Sequence, residues 1–117
     1  MTGTAEILRV EQHTVGLWAV LELTGELDVA GLPALQQRVE EISAADGPPR
    51  LVIDMSAVTF MDSCGLGGLV RCWKRVAGMQ GRFVLVGLQP RVARVLEITG
   101  MRRAFEIYDS LEEFTRS

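Results

Sequence analysis

The sequence predicts an α/β fold with a mixed central sheet of about five strands and about four helices, in the order ββαβαβαβα. Three observations carry this. Residues 17–23 alternate Leu17, Ala19, Leu21 and Leu23 with Trp18, Val20 and Glu22, the two-residue period of a half-buried strand. Segments 51–54 and 83–87 are short, apolar and β-prone, the pattern of strands buried on both faces. Between them Leu66, Leu69, Val70, Trp73, Val76 and Ala77 recur at helical spacing, with Arg71, Lys74 and Arg75 on the wetter side. Strand, helix, strand in succession implies a right-handed parallel crossover.

In chain order, segments 6–10 and 17–23 read as an antiparallel pair at a sheet edge, joined by a loop over 11–16 that holds His13. Residues 24–28 interrupt the second strand. Leu32, Leu35, Val39 and Ile42 then mark a helix with Pro33 tolerated in its first turn, ending near 43–45 before Asp46, Gly47, Pro48 and Pro49. After the strand–helix–strand unit, Pro90 opens another helix and Thr99 with Gly100 closes it. Residues 105–108 form a last short strand. Asp109 with Glu112, or Ser110 with Glu113, has the spacing of a capping box for a terminal helix through Phe114.

The 117 residues, 48% apolar, fit one compact domain over 1–117. No apolar run approaches the roughly 18 to 20 residues that span a bilayer, and the polar start lacks the regions of a signal peptide, so a cytoplasmic location without membrane contact is expected. The net charge of −3 reads as interleaved acidic and basic residues, without a concentrated Lys/Arg stripe, and nucleic acid is not an expected direct partner. Cys64 and Cys72 lie about 12 Å apart along one helix, too far to bridge. With His13 the single histidine and no Cys-x-x-Cys spacing, neither a metal site nor a cofactor is expected. The oligomeric state is left open.

The chemistry-bearing stretch is LVIDMSAVTFMDSCGLGGL over residues 51–69, where an apolar strand runs through a polar turn onto an amphipathic helix. A parallel strand feeding a helix places the turn at the carboxyl edge of the sheet, and the helix start presents unpaired N–H groups there. Asp62 and Ser63 are both suited to cap it. Gly65, Gly67 and Gly68 are expected to keep the surface low, so that a partner can approach Ser63 or Cys64 closely. Asp28 ends a strand near the same edge, where a turn or cap explains an Asp equally well.

Three strings in order, LTGELD at 23–28, VIDMSAVTFMDSCGLGGL at 52–69, and VARVLEITGM at 92–101 followed by YDSLE at 108–112, resemble the STAS domains of the bacterial anti-sigma factor antagonists. The resemblance covers nearly the whole chain. It implies a STAS-type single domain and a binding switch rather than an enzyme: the unmodified domain docks on an anti-sigma factor with a kinase-type ATP fold, and a sigma factor is freed. It places Asp28, Asp62, Ser63, Cys64, Gly65 and Leu66 at the partner surface, and Cys64 at the position where the family carries its phosphorylated serine.

A thiol is not the ordinary acceptor of a serine kinase, so the acceptor role does not transfer to Cys64. Three outcomes stay open: phosphorylation of Ser63, constitutive docking, or a redox switch at a thiol near a helix N-terminus. Two other readings compete with the antagonist. One is a STAS scaffold subunit, for example of a transporter ATPase; the other is an enzyme with Cys64 as nucleophile, for which the sequence offers no nearby base.

Overall fold

Five strands form one sheet in the computed structural model, which describes residues 8–116: β1 (Arg9–Val15), β2 (Trp18–Leu27), β3 (Arg50–Met61), β4 (Arg82–Val86) and β5 (Glu106–Tyr108). They lie side by side in sequence order. β1 pairs antiparallel with β2, and every later pair is parallel. The connections are α1 (Leu32–Ser43), α2 (Ser63–Gly78) and α3 (Pro90–Ile98), and α4 (Leu111–Arg116) follows β5. The ββαβαβαβα order read from the sequence is the order found.

Register sorts the side chains onto two faces. Leu21, Ile53 and Leu85 are aligned across β2, β3 and β4, and they belong to one core with Leu35 and Val39 of α1, Leu69 and Val76 of α2, and Val92 and Leu96 of α3. Their neighbours Val20, Val52 and Val84 face the other way and form a smaller core with Phe114 of α4. Three helices therefore cover one face, and a helix of six residues covers part of the other. Trp18 meets Phe114 edge to face at 4.8 Å, and the Arg82 guanidinium lies 5.0 Å from the Trp18 ring while pairing with Glu106. A recess of about 560 Å³ beside them opens at the amino edge of the parallel strands.

Caps follow the expected chemistry. Pro33 sits in the first turn of α1 and Pro90 opens α3. At the last helix, the Glu113 N–H donates to Ser110 Oγ and the Asp109 N–H donates to Glu113 Oε1, both at 3.0 Å. The Ser110–Glu113 alternative is the one used, with the return bond shifted to Asp109.

Three elements differ from the sequence reading. β1 runs through Val15, so His13 lies in a strand, exposed and paired in register with Val20, and the loop shrinks to Gly16 and Leu17. Residues 6 and 7 of the expected strand lie outside the described residues. β2 does not stop at Thr24; it continues to Leu27 through two register shifts, with Gly25 at φ +118° taking up a backbone shape that side chains disfavour. β3 likewise continues past Asp54 to Met61. Its pairing with β4 ends at Asp54, and beyond that point side chains replace the missing strand. The Ser56 N–H donates to Asp54 Oδ1 at 3.0 Å, and Gln89 Nε2 donates to the Ser56 carbonyl at 2.8 Å.

Candidate functional site

The paired ends of β2 and β3 set the site. Leu27 and Met61 are partners in register, so Asp28 and Asp62, one residue further on each strand, leave the carboxyl edge side by side. Asp62 then organises the start of α2, and Asp28 organises the turn that leads into α1. Asp62 is the N-cap of α2: its Oδ1 accepts from the Gly65 N–H at 2.8 Å, and its carbonyl accepts from the Leu66 N–H at 2.9 Å. Asp28 Oδ1 accepts from the Gly31 N–H at 3.0 Å, and its carbonyl accepts from Leu32 at 3.1 Å. Both acids thus have structural work at this edge, which fixes the turn geometry around them.

The glycines serve packing more than surface relief. A Cβ on Gly65 would sit 1.9 Å from the Leu27 carbonyl oxygen, and one on Gly68 would sit 2.1 Å from Leu32 Cδ2. These two positions let the α2 backbone press against the end of β2 and the start of α1. Gly67 alone behaves as expected from the sequence, since only Arg71 Nη1 lies within 4 Å, at 3.6 Å. Helical rotation of about 100° per residue separates the rest. Ser63 and Cys64 are exposed, while Gly65 and Leu66 turn inward, Leu66 at 6% exposure joining the main core.

Two contributors carried no motif. Val29, directly after Asp28, is 69% exposed, and Phe60, two residues before Asp62, is 39% exposed. What sets these two apart from Leu17 and Ile98, which are 78% and 76% exposed elsewhere on the surface, is their place beside the polar turn. Periodicity offered no signal for Phe60: a regular strand would put it on the same face as the buried Val58, and the register shift between Gly25 and Glu26 breaks that alternation.

The two thiols differ sharply. Both are free; Cys64 is exposed and Cys72 buried. Burial pushes the Cys72 thiol up from the ordinary 9.0 to about 11, with Arg71 and Arg75 opposing and Glu40 adding slightly. The folded thiol keeps its proton across that window while the unfolded one loses it, so this group's contribution to stability falls as pH rises from 9 toward 11. In a thiol-labelling time course at pH 8, one cysteine is expected to react in the native protein and the second only in denaturant, and peptide mapping should place the fast label on Cys64. Fast native labelling of Cys72 would contradict the packing of α2.

Among the described residues, no group of three or more His, Cys, Asp or Glu side chains is placed to hold a metal ion, and no helix is long and apolar enough to cross a membrane.

Comparison with known proteins agrees with this architecture. The STAS domain family matches residues 7–114. The chain is 36% identical over 85 residues to an anti-sigma-B factor antagonist of Listeria monocytogenes, spanning 73% of this chain and 74% of that protein. It is 33% identical over 95 residues to the anti-sigma-F factor antagonist RsfB of Mycobacterium tuberculosis, spanning 81% and 76%. The crystal structure of an anti-sigma factor antagonist from Mycobacterium paratuberculosis superimposes with a TM-score of 0.81 at 30% identity, over 97% of this chain and 94% of that one. The sheet with its one antiparallel edge, the capped strand-to-helix turn and these likenesses agree: the chain belongs to the STAS domain family.

Proposed function

We propose that this chain is an anti-sigma factor antagonist, a cytoplasmic binding protein that frees a sigma factor by occupying an anti-sigma factor with a kinase-type ATP fold. The observation that carries the reading is the exposed pair Ser63–Cys64 at the start of α2, bracketed by the exposed apolar side chains of Val29 and Phe60. The relatives that bear the antagonist name support the choice of partner.

Cys64 sets the regulation. It occupies the place where the family resemblance puts the phosphorylated serine, so the domain is held in its docking form and binds constitutively. Ser63 is the one neighbouring hydroxyl, and it points about 100° away around the helix. A kinase pocket aligned on Cys64 therefore does not meet it in line.

Titration calorimetry against recombinant kinase-fold anti-sigma factors of the source genome, with and without nucleotide, tests the docking. Absence of binding at micromolar concentrations defeats the reading. Incubation with the binding partner and ATP, followed by intact mass and peptide mapping, tests the switch. Wild type and Ser63→Ala are expected to stay unmodified, whereas Cys64→Ser is expected to gain one phosphate at residue 64. Phosphate on Ser63 of the wild type would show that the acceptor has moved rather than been lost.

A further inference from the structure

Along the chain the two signs of charge look interleaved; by region they are segregated. Residues 63–105 hold eight of the twelve basic residues and a single carboxylate, Glu97, in a chain of net charge −3. Glu97 is engaged by Arg102 at 3.2 Å, and Arg82 is paired with Glu106 on the other face of the sheet. Among the described residues Arg71, Lys74 and Arg75 of α2 are exposed and form no ion pair.

At about 100° per residue, Cys64, Gly67, Arg71, Lys74 and Arg75 fall within about 100° of the α2 circumference. The opposite arc holds Leu66, Leu69, Cys72 and Val76, all buried. The exposed stripe therefore begins at the proposed docking residue and runs about 16 Å down one helix. Gly67 leaves its upper part without a side chain, and Arg71 Nη1 leans over that gap. Three cations outside any ion pair, gathered within little more than one turn and about 6 Å of helix axis, less than a Debye length of about 8 Å, act on an approaching surface as one patch.

We infer that the outer face of α2 from Gly67 to Arg75 is the second half of the docking surface, and that it fits an acidic patch on the same anti-sigma factor that covers Cys64. The inference rests on the proposed antagonist function. The tip formed by Val29, Phe60, Ser63 and Cys64 is small against the roughly 800 Å² that each partner contributes to a stable complex, and α2 is the contiguous surface that extends it. Charge complementarity and continuity select the occupant: exposed cations outside any ion pair favour an anionic surface, and the anti-sigma factor that covers Cys64 is the partner that reaches the adjoining stripe.

The test compares dissociation constants at 50 and 300 mM salt for the recombinant anti-sigma factor that binds wild type. Arg71→Glu/Lys74→Glu/Arg75→Glu is expected to weaken binding about thirtyfold at 50 mM salt and to flatten its salt dependence, chiefly through slower association. The corresponding triple Gln variant is expected to weaken it about tenfold. Arg91→Glu/Arg94→Glu/Arg103→Glu, which changes net charge equally on other exposed positions, is expected to stay within about threefold. Far-ultraviolet circular dichroism establishes that each variant is folded. Equal losses in both Glu triples would reduce the stripe to a generic field effect and overturn the inference. So would an unchanged affinity in the α2 triple, including the case where that variant loses binding only to duplex DNA or to anionic vesicles. Failure of wild type to bind any anti-sigma factor overturns both the function and this inference, whereas binding by wild type with an indifferent α2 triple overturns the inference alone.

Discussion

Gly65→Ala is expected to destabilise the protein by about 3 kcal/mol, lowering the thermal midpoint by about 12 °C. The added methyl carbon would lie 1.9 Å from the Leu27 carbonyl oxygen and 2.7 Å from its carbonyl carbon. Both obstacles are backbone in a paired strand, which cannot swing aside as the end of a flexible side chain does. The helix start must move away from β2 instead, and the Asp62 carboxylate then loses its bond to the residue 65 N–H. Gly67→Ala supplies the contrast. Its methyl meets only the tip of Arg71 at 3.6 Å, and alanine is the better helix former by up to about 1 kcal/mol. Urea and thermal melts of the two variants check the pair, and equal stability would mean that α2 does not press on the end of β2 as described.

Cys64→Asp is expected to weaken binding to the anti-sigma factor about a hundredfold, or about 2.7 kcal/mol, while leaving the fold at least as stable as wild type. A carboxylate at the second residue of α2 is welcomed by the helix dipole and the free N–H groups of the first turn. In a docked complex the same charge is stripped of water at a surface already carrying Asp28 and Asp62. The effect on stability and the effect on binding therefore have opposite signs, which a defect in folding could not mimic. Cys64→Ser, nearly equal in size, is expected to remain within about threefold. Calorimetry reads both, and an Asp variant that binds as tightly as wild type would remove residue 64 from the interface.

Much of the architecture was legible because the relevant signals were local. The period of α2, the apolar run that became β4, and the bracketing of α3 by Pro90 and Gly100 each specify an element without reference to its neighbours. The strands at and beyond the sheet margins were not legible in this way. β1 is an edge strand exposed along most of its length, so Gln12, His13 and Thr14 show no alternation. Gly25 looked like a stop, yet a bulge carries β2 through it. β3 beyond Asp54 is held by the bulged end of β2 on one side and, where β4 stops, by the Asp54 and Gln89 side chains on the other, a tertiary arrangement that leaves no periodic trace.

At the site, residue type and place narrowed the cap of α2 to Asp62 or Ser63, and the structure selects Asp62, leaving Ser63 and Cys64 exposed in the first turn. The meaning of the glycines did not. Gly65, Gly67 and Gly68 look alike in sequence, and only what stands opposite each one separates the two that permit close packing from the one that borders solvent. Val29 and Phe60 were missed for the same reason, because exposure of an apolar residue depends on where the sheet ends.

The strictly sequential strand order has a consequence for what can be recognised here. In open α/β sheets a small molecule settles in the crevice where the strand order reverses and neighbouring connections part to opposite faces. This sheet never reverses, and α1, α2 and α3 all lie on one face, so its carboxyl edge lacks that kind of crevice. Such an edge suits overlay by another protein, with selectivity set by the pattern of caps, apolar tips and cations along it.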